Sequence, residues 1–80
     1  MLNSKMLTES EIYAKREEIA KLERSIEHSQ KALKFWISAE PGDWKAKYDM
    51  IANHGKEMAR CADEIKHLLL IIAYLENMIK

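Results

Sequence analysis

The sequence predicts an all-α protein: an antiparallel two-helix hairpin, coiled-coil-like, that dimerises into a four-helix bundle. Three observations carry that prediction. Apolar residues recur at alternating three- and four-residue steps along two long stretches of the chain, the spacing of a heptad seam. A single break, Pro41-Gly42-Asp43, separates the two stretches. The second stretch then ends with more apolar surface than one neighbouring helix can cover.

The first helix has a readable start. Thr8 followed by Glu11 fits a capping box, in which hydroxyl and carboxylate satisfy amides at the helix N-terminus, and Leu7 and Ile12 stand at the positions of a hydrophobic staple. A helix over about 8–38 is expected, with Ile12, Lys15, Ile19, Leu22, Ile26, Ser29, Leu33 and Trp36 as its seam. Its outer face is charged, and Glu11 with Lys15, Glu17 with Lys21 and Glu27 with Lys31 are acid-before-base pairs four residues apart.

The turn is expected over about 39–43. Proline disfavours helix for Glu40, glycine permits a positive φ, and the Asp43 carboxylate can cap the next helix. A second helix follows to about residue 79, where Trp44, Tyr48, Ile51, Gly55, Met58, Ala62, Ile65, Leu69 and Ile72 continue the seam until Glu76 interrupts it. So short a connection sets the helices side by side and antiparallel. Gly55 and Ala62 then allow close approach to the first helix, Trp36, Trp44 and Tyr48 fill the turn end, and Glu76 lies near the first helix's start, where its carboxylate would cap free amides.

At the end of the second helix Leu68, Leu70, Ile71, Leu75 and Met78 form the expected dimer interface. A helix apolar all round needs several neighbours, and this chain has only one other long helix to offer. Its 80 residues include a lone cysteine, so disulfides cannot supply the stability a small core lacks, whereas association can.

Thirteen basic residues balance thirteen acidic ones, which removes any global field for nucleic acid or anionic membrane. The longest apolar run, 68–75, is far below the ~20 residues that span a bilayer, and the first residues hold no run of signal-peptide length. The expected location is the cytoplasm.

The sequence holds no serine with a histidine and acid in a catalytic pattern, and no glycine-rich phosphate loop, so no enzymatic activity, catalytic residue or cofactor is expected. Glu64 and His67 have the E-x-x-H spacing of di-metal bundles, but they fall off the seam without a matching carboxylate on the first helix. His54 and Cys61 lack two further zinc ligands, so no metal site is expected. Lys15, Arg16, Lys21, Arg24, Lys31 and Lys34 alternate with acids, as a solvated face does.

Two aromatics have no role in the hairpin seam, Phe35 near the turn and Tyr74 on the outer side of the second helix. They are the expected partner-binding anchors. The expected function is protein–protein binding by a small non-catalytic homodimer, an inhibitor, adaptor or regulator of the kind that phage and mobile elements commonly encode. In layout, the antiparallel hairpin with heptad seams resembles the Rop class of RNA-binding four-helix bundles. That resemblance supplies the alternative, a dimeric bundle that binds RNA or DNA.

Overall fold

A computed structural model describes residues 4–40 and 42–79. It is a helical hairpin: α1 spans Ser4–Ser38, α2 spans Trp44–Met78, each of 35 residues, and the two pack against each other along their length. The molecule measures 62 × 16 × 15 Å. That is the form of two helices of roughly 50 Å laid side by side.

The α1 seam lies where the heptad spacing puts it. Ile12, Ile19 and Ser29 are buried, and Lys15, Leu22, Ile26, Leu33 and Trp36 are half-buried. The helix begins at Ser4 rather than Thr8. Lys5, Met6 and Leu7 are good helix formers with nothing among them to stop a helix, so the Thr8–Glu11 box becomes interior. Leu7 is consequently left 52% exposed instead of stapled to Ile12, which is 7% exposed in the core.

At the turn, Asp43 caps α2 as its position implied. Its backbone is extended, and its carboxylate accepts hydrogen bonds from the amides of Lys45 at 3.1 Å and Ala46 at 3.2 Å. The other half of the turn is closed by a residue the sequence did not single out. Lys47 Nζ donates to the free carbonyls of Ile37 at 3.1 Å and Ala39 at 2.9 Å, so a lysine of α2 caps the C-terminus of α1. No positive φ is needed: Gly42 does not adopt one, and Pro41 lies outside the described residues.

In α2 the seam is not the one the sequence spacing suggested. Lys47, Ile51, His54, Met58, Cys61, Ile65, Leu68, Ile72, Leu75 and Ile79 are buried or half-buried, while Trp44, Tyr48, Ala62 and Leu69 are exposed. The two frames share Ile51, Met58, Ile65 and Ile72 and differ in the row between them. The observed row buries Cys61 and Leu75 and half-buries Leu68; the expected one continues into Glu76, a carboxylate that would have to be desolvated. Turning α2 by about one residue exchanges that carboxylate for Leu75.

Gly55 therefore does not mediate close approach. A Cβ built on it would meet nothing within 4 Å. Glycine in an open helix interior loses more backbone entropy than alanine, so Gly55→Ala is expected to stabilise the fold by about 0.5–1 kcal/mol, read as a raised urea midpoint. A loss of stability would mean that α1 approaches there after all.

The hydrophobic core is off-centre. Ile12, Ile19, Ile72 and Leu75 form it at the end where the chain begins and finishes, with Ile65, Leu68, Ile71 and Ile79 packed around them. Towards the middle the most buried side chains are small ones, Ser29 at 4% and Cys61 at 0% exposure.

Candidate interaction surfaces

The fold leaves an unusual number of large apolar side chains in water. At the turn end these are Phe35, Ile37, Trp44 and Tyr48; at the opposite end they include Leu7, Tyr13, Leu69, Leu70, Tyr74 and Met78. Trp44 and Tyr48 were expected in the core. They are displaced from it because Lys47, not either aromatic, holds the seam position where its ammonium reaches the α1 carbonyls. Only Trp36 of the expected aromatic plug is half-buried. Phe35 stands edge-on to it, with ring centroids 5.7 Å apart and planes at 83°, so Phe35 is exposed yet held in place by a neighbour.

Among the residues expected to meet a second copy, Leu75 belongs to the hairpin's own core, and Leu68 and Ile71 pack against it. Leu70 and Met78 remain free on the surface, at 64% and 60% exposure. Tyr74 is exposed as its outer position implied.

Along one side of the molecule the two helices enclose an open groove. One part, about 550 Å³, is walled by Glu18, Lys21 and Leu22 of α1 and by Asp63, Glu64, His67 and Leu68 of α2. It continues past Lys21 towards the middle in a smaller part of about 380 Å³, where Arg24, Ser25 and His28 face Glu57. By sequence spacing alone Glu64 and His67 are isolated surface groups. The pairing of the helices brings Glu18 and Lys21 across from them, and only that pairing could reveal it. Among the described residues no group of three or more His, Cys, Asp or Glu side chains is placed to hold a metal ion.

The charged groups on the groove's α2 wall are ordered by Arg60. Its guanidinium bonds the Glu57 carboxylate at 2.6 Å and the Glu64 carboxylate at 2.7 Å. The hydrogen bond from Arg60 holds the Glu57 carboxyl below its ordinary range. The small stabilisation from this pair is present above that range and fades as pH falls through the lowered value. Beneath the network, burial pushes the Cys61 thiol above its usual range, which makes it a poor nucleophile. Its sulfur touches Glu57 Oε1 at 3.7 Å and Arg60 Nη2 at 3.6 Å.

Glu76 is not a cap. It reaches Arg16 at 3.5 Å, well inside α1, because α1 starts earlier than the Thr8 box implied and its first turn lies beyond the reach of this carboxylate. Both side chains are largely in solvent, 62% and 48% exposed, so the pair adds little. No helix is long and apolar enough to cross a membrane among the described residues.

Compared with known protein families, with curated proteins and with solved structures, the chain finds no match in any of the three.

Proposed function

We propose that the protein is a non-catalytic homodimer, two hairpins joined in a four-helix bundle, that works by binding another protein as an inhibitor, adaptor or regulator. The observation that carries this reading is surplus surface. The hairpin exposes 6372 Å². A compact monomer of this mass would expose about 5,000 Å². The excess, roughly 1,400 Å², is larger than the roughly 800 Å² that each partner buries in an ordinary stable interface. The exposed apolar groups at both ends of the hairpin support burial against other chains, with Leu70 and Met78 available to a second copy and Phe35 and Tyr74 to a partner. Net charge of zero sets no long-range repulsion between copies.

In a protein interface the energy concentrates in aromatic anchors, and rim charges mostly alter the association rate. Phe35 and Tyr74 are the anchors of this reading, and Phe35 is already positioned by Trp36. The test starts by cross-linking the tagged chain in its host and identifying what it captures by mass spectrometry. Calorimetric titration against that partner should then show Phe35→Ala or Tyr74→Ala weakening binding by more than ~1 kcal/mol, with Arg24→Ala plus Lys31→Ala changing it little. Thermal melts check that each variant is folded. The reverse pattern, with steep salt dependence and a nucleic-acid target, would replace this reading by the RNA- or DNA-binding one.

A further inference from the structure

We infer that the open groove is the face that receives the second copy, and that the two hairpins meet there pointing the same way, so that each α1 lies over the partner's α2. The inference rests on the dimer proposed above and adds its face and orientation.

The groove's walls differ in charge. The α1 wall carries Lys21, Arg24 and His28, with Glu18 at one end; the α2 wall carries Glu57, Asp63 and Glu64, with His67 at the same end as Glu18. Arg60 orders two of those carboxylates but leaves acids in excess on that wall. A twofold dimer closing on this face can be built in two ways. With the axis along the helices, both copies keep the same height, and every group on α1 meets the group on the partner's α2 that lies across the groove from it within one chain. Lys21 then comes over the partner's Glu64, Glu18 over the partner's His67, and His28 over the partner's Glu57. With the axis across the helices, α2 lies on α2, and the acidic wall faces its own copy. Like charges set opposite one another disfavour that arrangement, while the first sets the Lys21 ammonium over the partner's Glu64 carboxylate twice, once on each side of the axis.

The apolar rows agree with the first arrangement. Seven-residue steps carry the α2 wall from Glu64 to Ile71 and Met78, and the α1 wall from Lys21 to Ala14 and Leu7. Leu7 and Met78, 52% and 60% exposed, then cover each other across the interface, and Ala14 leaves room for the partner's Ile71. The same orientation gathers both turns, with two sets of Phe35, Trp44 and Tyr48, at one end of the bundle.

The test uses charge reversal between chains. Lys21→Glu and Glu64→Lys should each weaken the dimer about tenfold at low ionic strength, because the twofold axis repeats the repulsion. Mixed in equal amounts, the two variants should form a heterodimer about as tight as the natural dimer, since each then meets its opposite. Pairing within one chain cannot produce rescue by mixing. A second measurement is independent of those charges: spin labels on Gly42→Cys, in a Cys61→Ala background, should lie within ~30 Å of each other, a separation set by helix diameters, rather than the ~50 Å of a helix length. A dimer with distant turns, or variants that stay apart on mixing, overturns this inference and leaves the dimer standing. A chain that stays monomeric in light scattering at all concentrations overturns both.

Discussion

Ile72→Ala is expected to lower stability by about 2–5 kcal/mol, the cost of lost apolar contact together with the cavity left behind. Ile72 is 3% exposed, at the centre of the core with Ile12, Ile19 and Leu75. A domain of 80 residues has roughly 4–12 kcal/mol in all. The variant should therefore unfold at a much lower urea concentration, followed by circular dichroism. The control is Leu69→Ala, three residues away and 54% exposed, which should cost far less. Equal losses at both positions would mean that α2 presents the Leu69 row to α1, the frame that the spacing alone suggested.

Cys61→Leu should destabilise the hairpin by about 1–3 kcal/mol even though leucine is the more apolar residue. Cys61 is fully buried at the middle of the hairpin, where the other buried side chain is the small Ser29. Extra carbon there has to push the helices apart or leave its rotamer. Cys61→Ala, which only removes volume, should be the milder change. The same burial makes a second readout available. The thiol should resist alkylation at mildly alkaline pH until denaturant opens the hairpin, since burial disfavours its thiolate. Rapid alkylation of the folded chain would show that the middle of the hairpin opens readily and that its packing is looser than the structure implies.

The surfaces were less legible in the sequence than the helices, for a physical reason that particular residues make plain. Phe35 and Tyr74 could be assigned to the outside because each is far from the seam in either heptad frame. Trp44 and Tyr48 could not, because their exposure depends on Lys47 taking the seam position and tying itself to the Ile37 and Ala39 carbonyls. A lysine at a seam position looks unfavourable in a linear pattern. It becomes favourable once the end of another helix lies within its reach, with unsatisfied carbonyls to accept hydrogen bonds from its ammonium. The groove has the same character: Glu18 and Lys21 are ordinary surface charges until the hairpin sets them across from Glu64 and His67.

By itself the sequence determined the number of helices, the place of the turn, the Asp43 cap and the inward face of α1. Each of these follows from local spacing or from one residue's own chemistry, and neither needs knowledge of a neighbour. Tertiary structure alone decided the inward face of α2, where two seven-residue rows compete to complete the seam begun by Ile51, Met58, Ile65 and Ile72. Both rows are apolar enough to form an amphipathic helix. The choice falls to the row ending in Leu75 because the other would bury the Glu76 carboxylate against α1, and that cost exists only when α1 is there to exclude the water.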